Sequence, residues 1–453
     1  MRKIFVAFLA LAGCASLILS ACVAKPENNN DEEYTTESIE SFTPATDEGE
    51  DGELALSYAE CRENLSLAFS GMTETPAESF AFEETDGGLK IVDFVGDESI
   101  VVIPESFNGT DITEISAGAF SSKGIRAVYV PDSVKTIGPG ALENSEGLTT
   151  VRLPFVGDGA ENCFIGYAFG AQNHSQNALK LPASLQYVII GEGAVEIADN
   201  AFAGCKDIVA VSLPQSVKKI GEFAFFECND LICIDIGGAE EIEKYAFGYC
   251  ESLYSVSFAG VKSLGEGALV LCSSLYSLEL SFDEENRFIG YVFGASSADY
   301  NDEFVPKSLR RVIVADGCSE IPNRAFAACA YITDVRVPDG VTTVGIRAFY
   351  ACRSIRKISL PDSVVSLGDD AFFGCDNLSE VTLGEELESI GMQAFYGCSV
   401  LETIDLGGAS KIGKNAFYGC DSLTPPDTSG VIDVAEGNDK LFKSENDTTE
   451  EIK

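Results

Sequence analysis

Cysteine is the residue type with the most chemical potential in this 453-residue chain, which has fifteen cysteines and a single histidine. Nine of the cysteines recur at regular intervals, each three residues after a phenylalanine or a leucine. This regularity ties the thiols to a repeated structural unit. The nine residues, called the cysteine ladder below, are Cys205, Cys228, Cys250, Cys272, Cys329, Cys352, Cys375, Cys398 and Cys420.

Three interpretations of the ladder differ in what its thiols do. As small buried hydrophobes, they would fill equivalent positions of the repeat. Disulfides between neighbours fit poorly, because equivalent side chains project in parallel whereas a disulfide needs β-carbons about 3.8 Å apart. Zinc also fits poorly, since Cys228 and Cys233 are the only close pair and no histidine is near them. We predict buried thiols, with no metal and no cofactor. Cys61, Cys163, Cys233 and Cys318 lie off the ladder and are not assigned.

The inventory of catalytic residue types argues against an enzyme. His174 stands between Asn173 and Ser175, without a nucleophile motif such as G-x-S-x-G. No phosphate-binding or dinucleotide-binding glycine motif is present, because the glycines follow the repeat and are expected in its turns. Acidic residues are abundant, but they are scattered over variable repeat positions. We expect an exposed loop histidine and no catalytic site.

Cys22 is a candidate for lipidation. Arg2 and Lys3 precede an apolar run from Ile4 to Leu19, as in a secretory signal peptide. The run is short for a membrane-spanning helix, and acidic residues follow it. Its ending, Leu-Ser-Ala-Cys, resembles a bacterial lipobox, which implies lipid attachment at Cys22 and an exported, membrane-anchored protein. Ordinary secretion with cleavage nearby is the alternative.

A local excess of basic residues stands out in a chain whose net charge is −42. Between residues 307 and 357 there are nine Lys or Arg and four Asp or Glu. Such a patch can steer an acidic partner, although ordinary solvated surface with partial neutralisation explains it equally simply. A sequence pI near 4.2 argues against nucleic acid. The candidate binding residues are Arg311, Arg336 and Lys357, expected at outward strand positions of consecutive repeats, with Arg310 and Arg356 beside them and Tyr254 and Tyr276 as aromatic additions.

The element that must position these residues is a repeat of mostly 22 or 23 residues. Its consensus is roughly I-G-x-x-A-F-x-x-C-x-x-L-x-x-V-x-L-P. The alternating V-x-L segment predicts a short strand with one buried face, and the proline that often follows it ends the strand. Because no single repeat can bury its own apolar residues, successive repeats must stack into a solenoid. The phenylalanine position falls at Phe120, Leu142, Phe169, Phe202, Phe225, Phe247, Leu269, Phe293, Phe326, Phe349, Phe372, Phe395 and Phe417.

The Phe-x-x-Cys segment predicts a short helical or 3₁₀ turn on the side opposite the strand, with Phe and Cys both pointing inward. Two repeats are interrupted in the same way, at residues 164–171 and 288–295, which are near copies of each other. The extra residues that follow, 172–178 and 296–304, are mostly polar or turn-forming. We expect both insertions to loop out of one side of the solenoid.

The predicted domain boundaries follow from composition. Residues 1–21 form the signal peptide, and residues 22–53 form an acidic disordered tether. Residues 54–114 form an N-terminal cap, in which the apolar positions from Leu54 to Phe69 weakly favour a helix and short strands are expected near residues 80–82, 89–91 and 100–103. The solenoid spans 115–423, and 424–453 is an acidic disordered tail.

The repeat resembles that of the BspA-like, or Treponema-type, leucine-rich-repeat family of exported bacterial proteins. The resemblance covers residues 80–423. It implies an α/β repeat fold, a leucine-rich-repeat solenoid with a parallel β-sheet on one side. It also implies surface exposure and adhesion to host proteins or other cells, that is, protein or glycan binding by a lipoprotein. The alternative is a structural or envelope-organising repeat protein without a specific host ligand.

Overall fold

The structure, a computed structural model, describes residue 69 and residues 71–441. Within this range the chain forms a solenoid built from short strands joined by turns. The strands are β1 Phe80–Thr85, β2 Gly88–Phe94, β3 Ile100–Val102, β4 Ser106–Phe107, β5 Thr110–Ile115, β6 Ala127–Tyr129, β7 Thr136–Ile137, β8 Thr150–Leu153, β9 Tyr187–Ile190, β10 Glu196–Ile197, β11 Ala210–Ser212, β12 Lys219–Ile220, β13 Cys233–Asp235, β14 Glu241–Ile242, β15 Ser255–Ser257, β16 Ser263–Leu264, β17 Ser277–Leu280, β18 Arg311–Val314, β19 Glu320–Ile321, β20 Asp334–Arg336, β21 Thr343–Val344, β22 Lys357–Ser359, β23 Ser366–Leu367, β24 Glu380–Thr382, β25 Ser389–Ile390, β26 Thr403–Ile404, β27 Lys411–Ile412 and β28 Asp433–Val434.

The V-x-L strands form the front sheet, as predicted. Ten of them pair in the order β3, β6, β8, β9, β11, β13, β15, β17, β18 and β20, all parallel. β22, β24 and β26 continue the same repeat position as a separate three-stranded parallel sheet, which we include in the front sheet. The side chains that point away from the interior along these strands make up the front face.

A second series of two-residue strands was not predicted. These strands lie at the x-Ile position before the repeat's Gly and pair in parallel from turn to turn, as Glu196–Ile197 pairs with Lys219–Ile220. They form one sheet of four strands, β10, β12, β14 and β16, and one of six, β19, β21, β23, β25, β27 and β28. Most turns of the solenoid are therefore joined to the next by two strand ladders.

The phenylalanines stack along the axis of the solenoid, confirming that they point inward. The rings of Phe349 and Phe372 are 5.0 Å apart and nearly parallel, and those of Phe372 and Phe395 are 5.2 Å apart. All three side chains are fully buried. Such offset stacks add attraction beyond the burial of apolar area. Because each ring covers the next, no turn is stable alone.

The turn after each phenylalanine is tighter than a helix in most repeats. In Phe-x-x-Cys the Cys amide donates to the Phe carbonyl, at 3.2 Å for Cys228 and Phe225. This single bond closes one turn without starting a helix. The short helices that do form are η1 Ala77–Ser79, η2 Ile165–Phe169, η3 His174–Gln176, α1 Asn177–Lys180, η4 Ile289–Phe293, η5 Ala298–Tyr300, α2 Asn301–Phe304 and η6 Asp439–Leu441.

The two insertions loop out as expected, and each is fixed by one buried asparagine. The Asn301 side chain accepts a hydrogen bond from the Gly290 amide at 3.0 Å and donates to the carbonyls of Arg324 and Ala327 at 3.4 and 3.1 Å. Asn177 makes the matching bonds to Gly166 and to two carbonyls of the next turn. Both side chains are fully buried. The duplicated sequence block is therefore a duplicated structure.

The strand pairing extends past the predicted solenoid, 115–423, at both ends. β3 already pairs with β6 in the front sheet, so the first turn begins near residue 100 and not at 115. At the other end β28 pairs with β27, so part of the segment predicted as a disordered tail adds one more strand. The signal peptide, the acidic tether, nearly all of the helix predicted from Leu54 onward, and residues 442–453 lie outside the described residues.

Each end of the solenoid is closed by a polar side chain. At the first strand Thr75 accepts a hydrogen bond from the Val102 amide through its hydroxyl, and its own amide donates to the Val102 carbonyl, both at 2.9 Å. At the last turn the Asn438 side chain accepts from the Phe417 amide at 3.1 Å. In earlier turns a backbone carbonyl of the following turn takes this role. Asn438 therefore replaces the missing turn.

Candidate binding surface

Ion pairs on the solenoid join residues one turn apart. The stacking brings position i next to position i+23, so opposite charges at equivalent positions meet. Arg347 pairs with Asp370 at 2.9 Å and Arg353 pairs with Asp376 at 3.4 Å. Such pairs neutralise the surface locally and contribute little stability where they are exposed. They also show which cations are left without an acidic neighbour.

Two of the five predicted basic residues are neutralised in this way. The Arg311 Nε lies 3.2 Å from an Asp334 carboxylate oxygen, and its side chain is only 17% exposed. The Lys357 ammonium lies 2.6 Å from a Glu380 oxygen, and this hydrogen bond raises the pKa of Lys357. Both residues sit on the front face in β18 and β22, as predicted. Their charges are not free for a ligand.

The other three predicted basic residues are not neutralised in this way. Arg310, Arg336 and Arg356 form no ion pair with any residue of the described part of the chain. Arg336 and Arg356 are exposed, and Arg310 is half-buried. These three residues are called the free arginines below.

Arg310 belongs to a continuous row of residues that precede the front strands. The amide of Arg310 donates to the Tyr276 carbonyl at 2.9 Å, and the amide of Tyr276 donates to the Tyr254 carbonyl at 2.8 Å. The amide of Thr333 donates to the Arg310 carbonyl, and Arg356 occupies the same repeat position one turn later. The structure therefore places both predicted tyrosines in one row with two of the free arginines.

The two tyrosines differ in how close they lie to the free arginines. Their rings stack at 5.4 Å and 13°. Burial raises the pKa of Tyr254 to about 12. Both residues are half-buried. Tyr276 is next to Arg310 in the row, whereas Tyr254 is one strand further away. Tyr276 is the tyrosine that extends the basic surface.

A neighbouring cluster was missed from the sequence. The Tyr331 ring is 44% exposed, with the Lys307 ammonium 5.6 Å and the Arg310 guanidinium 5.9 Å from its centroid. An exposed aromatic ring beside two cations offers apolar contact, while the cations can bind acidic groups. The signal was available, because Tyr331 stands where most repeats have Asp, Ser or Asn.

An outer aromatic ladder was also missed. It consists of Tyr350, Phe373, Tyr396 and Tyr418, each one residue after a core phenylalanine. Neighbouring rings are stacked at 5.2, 4.8 and 5.1 Å. The first three are partly exposed and Tyr418 is 54% exposed. The repeated Phe-Tyr or Phe-Phe pair is the sequence signal that predicts it.

The cysteine ladder is buried, as predicted, but it also makes a specific contact. The Cys250 thiol donates to the Phe225 carbonyl of the previous turn at 3.2 Å, and the Cys352 thiol donates to Phe326 at 3.0 Å. Burial raises the pKa of Cys250 and Cys352 well above the usual range. Cys163 and Cys318 carry free thiols, whereas Cys233 is disulfide-bonded.

The remaining predicted positions add no second site. His174 lies exposed in η3, inside the first insertion. Within the described residues no group of three His, Cys, Asp or Glu side chains is arranged to hold a metal ion. An open cleft of about 520 Å³ is lined by Phe282, Arg287 and Glu320 among others and contains none of the predicted residues. Cys22 lies outside the described residues, and within them none of the helices has the length and hydrophobicity of a membrane span.

Solved structures of several repeat proteins resemble this chain. A leucine-rich repeat protein from Bacteroides ovatus is 22% identical, with a TM-score of 0.32, covering 73% of this chain and 94% of that chain. A leucine rich cell surface protein from Faecalibacterium prausnitzii is 21% identical, with a TM-score of 0.23, covering 80% and 96%. The T. pallidum leucine rich repeat protein is 20% identical, with a TM-score of 0.18, covering 78% and 91%.

A comparison with curated proteins gives no match. The sequence does match the family described as BspA type leucine rich repeat region, in six copies over residues 101–168, 172–298 and 300–428. These segments contain nearly all of the front sheet from β3 onward, nearly all of the phenylalanine stack, and the whole cysteine ladder. The chain therefore belongs to the BspA type leucine-rich repeat family.

Proposed function

We propose that this chain is a surface-anchored bacterial lipoprotein whose solenoid binds a protein or glycan ligand and so mediates adhesion to host or other cells. The proposal gives the chain a binding role and not a catalytic one. A stacked repeat offers an extended surface on which many side chains can contact one large partner. The free arginines mark where we place the contact.

One observation carries the proposal. Five of the nine cations of the basic region have an acidic partner on another part of the solenoid, whereas Lys307 and the free arginines have none among the described residues. The chain has a net charge of −42, so acidic residues are plentiful and unpaired arginines are unexpected. A guanidinium can bind carboxylate or sulfate oxygens through two parallel hydrogen bonds. An acidic ligand would therefore be both attracted and oriented.

The surroundings of Arg310 suit an extended ligand. Tyr276 lies beside it in the same row, and the Tyr331 ring is close to both Lys307 and Arg310. Aromatic faces next to cations are common at protein interfaces, because they combine apolar contact with charge. The row runs across neighbouring strands about 4.8 Å apart, so it can contact several successive ligand groups.

The anchor is a separate part of the proposal and rests on the Leu-Ser-Ala-Cys ending alone. Replacing Cys22 with Ala should release the protein from the membrane fraction of the producing cell. Retention of the Cys22→Ala variant in membranes would exclude lipid attachment at this residue.

The binding role is tested with an array of extracellular-matrix proteins, glycans and bacterial surface extracts. Wild type is compared with a triple variant, Arg310→Glu, Arg336→Glu and Arg356→Glu. A matched control carries Lys135→Glu, Lys206→Glu and Lys411→Glu, which change the net charge equally at exposed positions elsewhere. We expect a ligand that binds wild type and the control but not the triple variant. Equal binding by all three proteins would remove the free arginines from the function.

A second candidate is a structural or envelope-organising protein without a specific host ligand. The outer aromatic ladder favours it, because a partly exposed apolar strip that ends at Tyr418 can pack against a second copy. Light scattering after size exclusion separates the two functions. Concentration-dependent oligomers that disappear in Tyr396→Ser/Tyr418→Ser would support the structural role, and a monomer at all concentrations would oppose it.

A further inference from the structure

The front face is covered along its N-terminal half. Thr150 and Thr403 occupy the same outward position in β8 and β26, yet Thr150 is 2% exposed and Thr403 is exposed. Lys357 and Glu380, which occupy this outward position in β22 and β24, are also exposed. The buried outward residues are Ala127, Thr150, Ala210, Cys233, Asp235 and Ser255, with exposures between 2% and 8%. Outward residues of a sheet are buried only where something lies on them.

The covered part of the front face includes an apolar cluster. Ala210 and Cys233 form a small hydrophobic cluster on the front face, with Tyr187 and Ile189 packed against it. This cluster is separate from the main core, which lies on the other side of the sheet. Tyr187, Cys233, Asp235 and Tyr254 all engage partners, and all four lie in this area. The cover must therefore present apolar side chains to β9, β11 and β13.

Cys233 identifies the cover. Cys233 is disulfide-bonded, whereas Cys163, Cys318 and eight ladder cysteines have free thiols. The last ladder residue, Cys420, is fully buried and about eight turns away from Cys233 along the solenoid. Its thiol donates a hydrogen bond to the Phe395 carbonyl. The remaining cysteines of the chain are Cys14, Cys22 and Cys61. Cys14 lies within the predicted signal peptide and Cys22 is the predicted lipid attachment site, which leaves Cys61.

The path of the described chain leads to the same place. Thr75 is bonded to the first strand of the front sheet, and the Phe69 ring packs edge-on against Tyr129 of β6 at 5.5 Å. Tyr129 points outward, so the chain already lies on the front face at residue 69. From β6 to β13 is four strand spacings, about 19 Å. Cys61 and Phe69 are eight positions apart in the sequence, and a segment of that length spans between about 12 Å as a helix and about 27 Å when extended.

The composition upstream of Phe69 also fits. Residues 23–53 are acidic and contain few apolar side chains, whereas Leu54, Leu56, Tyr58, Leu65 and Leu67 follow in the next stretch. This stretch is the first after the signal peptide that can cover an apolar cluster.

We infer that residues 54–69 dock on the front face from β6 to β15 and are fixed there by a disulfide between Cys61 and Cys233. Forming the bond removes two protons and two electrons from the two thiols. The acceptor is a disulfide-bearing oxidant of the export compartment, whose own S–S bond is cleaved to two thiols. The segment covers the N-terminal half of the front face and leaves the half with Arg336 and Lys357 exposed to solvent. The inference does not depend on the ligand proposed above.

Peptide mapping without reduction tests the bond. The full chain is produced by export, unfolded in guanidinium, and alkylated before digestion. We expect one disulfide-linked pair of peptides, containing Cys61 and Cys233, and alkylation of the adjacent ladder residue Cys228. In Cys61→Ser, Cys233 should become alkylated. The matched control Cys163→Ser, which changes a free thiol, should keep the linked pair. Alkylation of Cys233 in wild type, or its linkage to any other cysteine or to a second chain, would overturn the inference.

Limited proteolysis tests the docking. Trypsin should cut after Arg62 at least about tenfold more slowly in wild type than in Cys233→Ser, because a docked segment resists cleavage. Cleavage after Lys135 provides the internal reference in the same digest. Equal rates at Arg62 in the two proteins would show that the segment is not held on the sheet.

Discussion

The thiol of Cys375 donates a hydrogen bond to the backbone carbonyl of Phe349, one turn earlier, at 3.1 Å. The same carbonyl also accepts from the amide of Cys352, which closes the turn that follows Phe349. Each ladder cysteine of this kind therefore connects the interior of one turn to the backbone of the previous one. It acts as a polar link as well as a small apolar side chain.

This link predicts a specific order of stabilities at Cys375. Cys375→Ala removes both the buried volume and the donor, and should lower the free energy of unfolding by about 2 kcal/mol. Cys375→Ser keeps a donor within reach of the Phe349 carbonyl and should cost less. Urea denaturation followed by circular dichroism gives both values. A serine variant less stable than the alanine variant would show that the hydrogen bond contributes nothing.

The buried thiols predict a loss of stability at alkaline pH. Burial raises the pKa of Cys272 to about 12, and it raises the pKa of seven other ladder thiols in the same direction. The folded chain therefore keeps protons that the unfolded chain releases above about pH 9. This contribution is fully present below about pH 8.5 and is lost as pH rises toward 12.

Between pH 8 and pH 9.5 each such thiol should remove about 0.8 kcal/mol from the free energy of unfolding. Urea titrations at the two pH values measure the total. The control is a variant with Cys352→Ser, Cys375→Ser and Cys398→Ser, which should lose about 2 kcal/mol less over the same interval. The same loss in both proteins would contradict the assignment of the effect to the ladder.

The buried asparagine of the second insertion predicts a large local effect. Asn301→Ala leaves the Gly290 amide and the carbonyls of Arg324 and Ala327 without this partner, and should destabilise the fold by about 3 kcal/mol. Asn301→Asp should cost at least as much, because a carboxylate would face two carbonyls. The neighbouring exposed residue Asp302 gives the control, and Asp302→Ala should stay within about 0.5 kcal/mol. Thermal unfolding measures all three, and equal midpoints for the two alanine variants would refute the role of Asn301.

The repeated positions were predictable because one physical requirement recurs many times. The phenylalanine register and the front strands follow from apolar residues that must be covered by the next turn. Phe349, Phe372 and Phe395 illustrate this, since each is predicted inward and each is fully buried. Because the same apolar positions recur in turn after turn, the sequence defines them many times over.

The ends of the solenoid were not predictable in this way, because they depend on single polar side chains. Asn438 supplies to the Phe417 amide the acceptor that a further turn would have supplied. The segment around β28 lacks the Ala-Phe pair, so the repeat pattern gives no sign of it. Thr75 closes the first strand in a comparable manner.

The candidate site was predictable in its location but not in its charge state. Arg311, Arg336 and Lys357 are predicted at outward strand positions of consecutive repeats, and β18, β20 and β22 place them there. The neutralisation of Arg311 and Lys357 by Asp334 and Glu380 depends on which side chains meet across adjacent turns. Only the stacking register shows that, of the five predicted basic residues, Arg310, Arg336 and Arg356 are the ones without an acidic partner among the described residues.

The central claim is that the free arginines bind acidic groups of a ligand. The most direct measurement is the dissociation constant of immobilised heparin, used as a sulfated glycan probe, for wild type, the triple glutamate variant and the matched lysine control. The account predicts binding that is at least about tenfold weaker in the triple variant, which is about 1.4 kcal/mol, and less than about twofold weaker in the control. Equal dissociation constants for wild type and the triple variant would contradict it.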